Sequence, residues 1–469
     1  MAFWELERQR ADAIALVDAQ RSWTYGELAR LSDSAAAVLG PGRTVGFLCM
    51  PSTVDAVALY LGALRSRRHV PLLVQPDVDA TLLAALVAHY RPDWLALPDG
   101  SEMAGYAVAH RGGGLVVLVR DEPVHAQAPH PDLALLLSTS GSTGSSKLVR
   151  LSYEGLASNA RAIAQYLALR EDDRAITTLP LAYSFGMSIL NSHLEVGGSI
   201  ILTEESLVGR GFWDLARTHG VTSLSGVPAT FEMLRRVGLE RFQLDRLRML
   251  TQAGGRLRDA MIETFLDLCG RMGLEFFVMY GQTEAGPRIS YVPAARLREK
   301  VGSIGIAIPG GELRIDADTG ELIYRGPNVM LGYAEARGDL ALGDQANGEL
   351  RTGDLARRDE DGFFHLTGRA KRFIKVSGNR VNLDEVESML SAELQRLVAC
   401  SGRDDDLVVF VPGESPVEPT RIKQLIQQRY KLFPGHVRSV ALDALPLLPT
   451  GKTDYQALRS MSEAQDVRA

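Results

Sequence analysis

The sequence predicts an α/β fold. A large N-terminal part of helix-covered, mostly parallel sheets is followed by a β-rich subdomain and a small C-terminal α+β domain. Three observations predict it. As far as about Gly302, short apolar runs alternate with longer helical patterns, as in strands joined by crossover helices. Beyond that point, short runs are split by Asp/Gly turns such as Asp361-Gly362, the mark of hairpins. The last hundred or so residues mix strands and helices.

Residues 45–50 (VGFLCM) read as a buried strand, followed by a helix over 55–68 with Val57, Leu61 and Leu64 at helical spacing. Residues 95–97, 115–119 and 133–137 are further strands. Ser152 can cap a helix running to about Leu169, with Leu156, Ile163 and Leu167 on one face. Strands over 196–202, 223–226, 249–253 and 276–279 continue the alternation. Hairpins follow over 310–325 and 357–366. A basic link, 369–372, leads to helices over 384–397 and 420–430 and a strand over 407–411.

A chain of 469 residues implies two to four units. With 46% hydrophobic and 23% charged residues it reads as a globular protein with a large core. The net charge is −6 without a basic footprint, so nucleic acid is not expected as a partner. Cys49, Cys269 and Cys400 are far apart and lack C-x-x-C spacing, which argues for reduced, buried thiols in a cytoplasmic protein. No signal-type apolar region and no run of 18 apolar residues is present, so no transmembrane segment is expected.

Five loops carry candidate chemistry. The first holds Thr139, Ser140, Gly141, Ser142, Thr143, Gly144 and Lys147, directly after an apolar strand. Its small residues let backbone N–H groups cradle an anion, with hydroxyls and a cation added; a flexible Gly/Ser turn has the same composition. The Walker spacing G-x-x-x-x-G-K-[ST] does not fit residues 141–148. The second is Tyr280-Gly281-Gln282-Thr283-Glu284, again after a strand. An aromatic can stack on a base and a carboxylate can hold Mg²⁺, although an acidic turn alone is usually surface. The third contains Asp354, either an acceptor for sugar hydroxyls or a turn-stabilising Asp. The fourth spans residues 368–378, and the fifth holds Lys452 in Leu-Pro-Thr-Gly-Lys.

In this order, from Trp23-Thr-Tyr-Gly-Glu-Leu to Lys452, the features resemble the adenylate-forming superfamily of acyl- and aryl-CoA ligases, luciferases and peptide-synthetase adenylation domains. The resemblance implies an N-terminal adenylation core at 1–370, with the β-rich subdomain at about 302–368, and a mobile C-terminal domain at 371–469 hinged at Lys371. It implies that Thr139 to Lys147 grip the ATP phosphates. Tyr280 stacks on adenine beside Gly281 and Gln282, Thr283 contacts the α-phosphate, and Glu284 binds Mg²⁺. Gly254 and Gly255 match the turn beside adenine and the acyl group, and Asp354 the ribose acceptor, with Arg369 assisting. Lys452 matches the catalytic lysine, and Lys375 to Gly378 the segment that serves the thiol half-reaction. Ser146 and Leu148 depart from the family's usual Pro and Gly around the loop lysine.

By the same resemblance, the acid pocket falls to Tyr183, Ser184, Phe185, Met187, Gly226, Val227 and Pro228. Residues 179–191 contain no acid to pair an α-ammonium, which disfavours an α-amino acid. The expectation is therefore ATP-dependent activation of a fatty or aromatic acid to an acyl-adenylate with release of pyrophosphate. Transfer follows to coenzyme A or to the phosphopantetheine of a carrier protein acting in trans, since no carrier signature follows Lys452. Adenylation coupled to a non-thiol acceptor, and a nucleotide-binding protein that has lost turnover, are the alternatives.

Overall fold

The computed structural model describes residues 2–124, 127–138, 147–369, 372–376, 379–413, 419–430, 432–448 and 453–466. The chain divides into two compact units. The first is Met1–Leu313 with Tyr324–Leu350, and the second is Arg314–Ile323 with Arg351–Ala469. This division falls at 350/351, whereas the hinge position Lys371 lies outside the described residues.

Two large sheets build the first unit. The nine-stranded sheet has six parallel strands in its body. From Glu275–Tyr280 the order runs through Met249–Gln252, Ser223–Gly226, Arg174–Ile176 and Ser199–Ile201 to Ile14–Val17. Antiparallel strands close both edges. Strands buried on both faces read as continuous apolar runs, which is why VGFLCM and LALLL were legible. They become Thr44–Cys49 and Leu133–Ser138 of the eight-stranded sheet. There, Thr44–Cys49 lies parallel to both His69–Val74 and Trp94–Pro98.

Helices end where the backbone chemistry requires. Ser152 Oγ accepts the Gly155 N–H at 2.9 Å and starts Tyr153–Tyr166, the expected cap. The helix Val54–Ser66 stops at Arg67, which adopts a left-handed conformation with φ 53°. The strand expected over 196–202 shortens to Ser199–Ile201, because Val196 and Gly197 (φ 81°) cap the preceding helix Ser184–Glu195. That helix is the expected acid-pocket segment.

In the second unit, residues 354–358 of the strand Glu349–Arg358 pair antiparallel with Phe364–Arg369 across a turn at Gly362 (φ 89°). A three-stranded sheet, Ala399–Arg403, Asp406–Pro412 and Val437–Leu442, packs on Leu383–Leu394 and Pro419–Tyr430 through Val386, Leu390, Ile422 and Ile426. The three cysteines are free and buried. Burial pushes the Cys49 thiol up to about 11 and Cys269 to about 12, so both stay protonated at neutral pH. Among the described residues, no helix is long and apolar enough to cross a membrane.

Gly46 shows how tightly the second sheet packs: a Cβ there would lie 1.9 Å from the Trp94 ring. Gly46→Ala is expected to cost about 3 kcal/mol through overpacking, read as a lowered midpoint of chemical unfolding.

Candidate functional site

The parallel strands Ser223–Gly226, Met249–Gln252 and Glu275–Tyr280 are in register, with Gly226 beside Gln252 and Gln252 beside Val278. Ligands of open α/β sheets bind outside such carboxyl ends. The loop after each strand carries candidate residues. Gln252 Nε2 donates to the carbonyls of Ala253 (3.1 Å) and Gly255 (2.8 Å), fixing the Gly-Gly turn. Gly254 has φ 80°, and a Cβ there would lie 2.7 Å from the Tyr183 hydroxyl and 2.9 Å from Val227 Cγ1. Glycine thus lets the turn, Tyr183 and Val227 close together. Phe185, Val227 and Ala253 share a buried cluster with half-buried Tyr183 against it. Met187 packs in a different part of the core. Pro228 starts the helix Pro228–Val237.

The Tyr280 loop folds back on itself. A Cβ on Gly281 would meet the Pro287 carbonyl oxygen at 1.7 Å, so this close approach demands glycine. Gln282 Nε2 donates to the Tyr280 hydroxyl at 3.1 Å. Thr283 Oγ1 lies 3.3 Å from Ser184 Oγ, joining the expected phosphate contact to the expected acid pocket. The Tyr333 hydroxyl donates to Glu284 Oε1 at 3.0 Å, and the Met330 N–H donates to the Glu284 carbonyl at 2.8 Å. Lys147 Nζ stands 3.7 Å from the Tyr333 ring centroid and 3.6 Å from Glu335 Oε1. Behind the loop, two buried amides, Asn159 Nδ2 and Asn328 Nδ2, both donate to the carbonyls of Ala285 and Arg288.

Beneath this edge lies a narrow cavity with room for about one water. Ser188, Ser192 and His193 line it from the helix Ser184–Glu195, Ser225 and Thr251 from the strands, and Arg288 closes it. The Arg288 guanidinium is buried, stacks 4.0 Å from the Phe185 ring centroid, and leaves Nε without a partner. Its polar neighbours are the hydroxyls of Tyr166 and Tyr183. Burial pushes Tyr166 up to about 12 and raises Tyr183, so neither supplies negative charge at neutral pH.

In the second unit, Asp354 is buried, and Arg369 Nε lies 3.3 Å from its Oδ1 across the strand pair. Lys375 is exposed, with its N–H donating to Asp404 Oδ1 at 2.7 Å. Arg372 is clamped by Glu387 (2.7 Å), whose other oxygen accepts the Tyr455 hydroxyl at 2.9 Å. Tyr455 lies three residues beyond Lys452, so this half-buried cluster anchors the chain that follows it. Thr139, Ser140, Gly141, Ser142, Thr143, Gly144, Lys371, Gly378 and Lys452 lie outside the described residues.

The structure therefore brings Tyr183, Ser184, Phe185, Val227, Gly254 and Thr283 to one strand edge. Glu284 and Lys147 meet at Tyr333. Sequence reasoning missed Tyr333 and Arg288. Nothing local marks Tyr333, whose partner Glu284 is 49 positions away. Arg288 carried one signal: a cation in the apolar stretch just after the Tyr280 loop.

Residues 3–334 match the family described as AMP-binding enzyme. The chain is 30% identical over 407 residues to an indoleacetate–CoA ligase of Aromatoleum aromaticum, covering 82% of this chain and 75% of the relative. It is 30% identical over 416 residues to a feruloyl-CoA synthase of an Amycolatopsis species, covering 82% of each. The solved o-succinylbenzoate CoA synthetase of Bacillus subtilis, bound to its acyl-adenylate, shares the fold with a TM-score of 0.78 at 23% identity, covering 98% of both chains. The chain belongs to the AMP-binding enzyme family, the adenylate-forming enzymes. Within it, the chain falls in the acyl- and aryl-CoA ligase branch.

His193 gives the cavity a pH signature. Its Nδ1–H donates to the Ile189 carbonyl at 2.9 Å, leaving Nε2 to accept from Ser223 Oγ at 3.3 Å. Burial pulls it from 6.5 down to about 4, with Asp173 opposing and Arg248 assisting. The unfolded chain takes up this proton near 6.5 and the folded one only near 4, so acidification through that window destabilises the fold. The loss is on the order of 3 kcal/mol and levels off below the window. His193→Gln is expected to flatten the acid limb of the unfolding-temperature profile; His69, also pulled to about 4 by burial, leaves a residual slope.

Proposed function

We propose that this protein is an ATP-dependent acid–thiol ligase. It joins a carboxylic acid to AMP with release of pyrophosphate, then passes the acyl group to a thiol. The observation that carries the reading is the joined edge, where Thr283 touches Ser184, and Glu284 and Lys147 each contact Tyr333. A carboxylate attacking the α-phosphate draws anions together, so catalysis rests on positioned donors and cations. Thr283 donates to the α-phosphate and Lys147 faces the outer phosphates. Tyr280 stacks on adenine beside the Gly254–Gly255 turn, with Gln282 holding its hydroxyl. Asp354 accepts from the ribose, Lys452 bridges the reacting oxygens, and Lys375 and Gly378 serve the thiol step after rotation about Lys371.

Mg²⁺ fits these residues. Among the described residues, no group of three or more His, Cys, Asp or Glu forms a metal cage. Mg²⁺ characteristically takes one or two carboxylates and completes its shell with phosphates and water, and Glu284 offers one carboxylate, oriented by Tyr333. When bound, Mg²⁺ neutralises phosphate charge.

The acid carries no α-ammonium. Residues 179–191 offer no Asp or Glu to pair one, and an unpaired ammonium in a buried pocket is costly. The acceptor is coenzyme A or a carrier phosphopantetheine in trans. Three buried, reduced thiols support a cytoplasmic location.

Pyrophosphate release from ATP and Mg²⁺ across fatty, aryl and amino acids tests the reading. It is expected with non-amino acids, and Lys452→Ala is expected to slow it by about 10²–10³-fold. No release with any acid, from folded protein that binds ATP, would favour a protein that has lost turnover. Thioester formation with coenzyme A against a loaded carrier protein identifies the acceptor. Tyr333→Phe keeps the ring beside Lys147 and deletes the hydrogen bond to Glu284. It is expected to raise the Mg²⁺ concentration needed for half-maximal release by about 3–10-fold, a loss of about 1 kcal/mol.

A further inference from the structure

Three residues far apart in the chain meet in the second unit. Arg372 stands directly after the hinge position Lys371, Glu387 lies on the helix Leu383–Leu394, and Tyr455 opens the helix Tyr455–Asp466, three residues beyond Lys452. Glu387 uses both carboxylate oxygens. Oε1 accepts from Arg372 Nη2 at 2.7 Å and from the Cys400 N–H at 2.6 Å, and Oε2 accepts the Tyr455 hydroxyl at 2.9 Å. The Arg372 guanidinium also lies 3.7 Å from the Tyr455 ring centroid, donates to the Cys400 carbonyl at 2.8 Å and pairs with Asp384. Charge-assisted bonds of this kind are short and directional, and the cation–π contact adds a second constraint on the tyrosine ring.

This cluster holds the base of the segment that carries Lys452. Leu447 and Thr453 form an antiparallel bridge, and the Asp454 N–H donates to the Pro446 carbonyl at 2.8 Å. Lys452 directly precedes Thr453, so the bridge lies beside it in the chain. Asp454 Oδ1 accepts the N–H groups of Gln456 and Ala457, both at 3.0 Å, and starts the helix. The base is therefore continuous with the helix, and the first residue of that helix is the one Glu387 grips. Leu458 is fully buried in a cluster with Ala399, Val408 and Phe410 of the three-stranded sheet. Apolar burial is non-directional, so it leaves the setting of the first turn to the bonds at Tyr455. At the other end, the Leu383 N–H donates to the Arg372 carbonyl at 3.0 Å, which fixes the chain leaving the hinge position to the same helix as Glu387.

We infer that Tyr455, Glu387 and Arg372 are positioning residues for Lys452, joining the base of its segment to the chain that leaves the hinge position so that the lysine keeps one register relative to the hinge. The inference rests on the adenylation reading above, which gives Lys452 its catalytic role, and adds the residues that place it. All three act through the lysine. A displacement of a catalytic group by about 1 Å costs about 10²-fold in rate, so a clamp two bonds from the reacting end of the molecule has a kinetic effect without touching nucleotide or acid.

Tyr455→Phe keeps the ring beside Arg372 and deletes the bond to Glu387. The test is a double-mutant cycle with Lys452→Ala, read as pyrophosphate release from ATP and Mg²⁺ with the fastest acid of the fatty and aryl panel. With Lys452 present, Tyr455→Phe is expected to lower kcat by about 10-fold and to leave KM for ATP within about 2-fold. In the Lys452→Ala background it is expected to change kcat by less than about 2-fold, because the group it places is gone. Equal losses in the two backgrounds mark a merely structural residue and overturn the inference, as does an unchanged kcat with Lys452 present; both results leave the adenylation reading standing. Silence of the wild-type protein with every acid would overturn both. Should Tyr455→Phe fail to fold, Glu387→Gln takes its place in the same cycle: it keeps the side-chain shape and removes the charge that holds Arg372 and Tyr455, and the same outcomes support or overturn the inference.

Discussion

The loop that follows Tyr280 depends on two buried amides. Asn159 and Asn328 converge on the same two carbonyls, those of Ala285 and Arg288. Buried backbone oxygens without partners would each cost about 1–3 kcal/mol, and a loop at this depth has no ladder to supply them. Tyr324 donates to Asn328 Oδ1 at 2.7 Å and fixes which way that amide faces. Asn159 sits on the helix Tyr153–Tyr166, which begins directly after the strand Leu148–Ser152. The backbone that departs from Lys147 thus also braces the loop carrying Thr283 and Glu284. Two sheets contribute to one edge because this helix serves both.

A second buried cation shows how the fold treats charge when it is structural. Arg150 is fully buried, yet its guanidinium donates to the carbonyls of Tyr333 (3.2 Å), Leu331 (3.1 Å) and Gly343 (3.3 Å) and to Gln345 Oε1 (2.6 Å). These bonds hold the short strand Gly332–Ala334 against Leu148–Ser152. They fix Tyr333, which in turn fixes Glu284. The structural arginine orients a residue of the site without approaching it.

Legibility in the sequence followed the range of the interactions. The strand Ser223–Gly226 was read to the residue, and Ser152 was read as a cap, whose N–H partner the structure places at Gly155, because both are local patterns. The candidate residues of the Tyr280 loop were readable because glycine, hydroxyl and carboxylate stand side by side after an apolar run. Element ends were less legible. The helix expected over 384–397 stops at Leu394, because Gln395 turns left-handed at φ 53°. A glutamine gives no sign of that. Tyr333 and the Asn159–Asn328 brace were invisible because each pairs residues far apart in the chain, and only the closed fold brings them together.

Arg150 and Arg288 show two ways in which the fold houses a buried guanidinium. Both are buried, both sit beside a candidate loop, and the sequence presents both as ordinary cations among apolar neighbours. The fold surrounds Arg150 with five oxygen acceptors, four of them backbone carbonyls. Around Arg288 it sets an aromatic face, two protonated tyrosines and a small polar cavity. A chain that can satisfy one buried guanidinium so fully has the means to satisfy the other. The Arg288 guanidinium instead keeps its Nε without an acceptor beneath the strand edge.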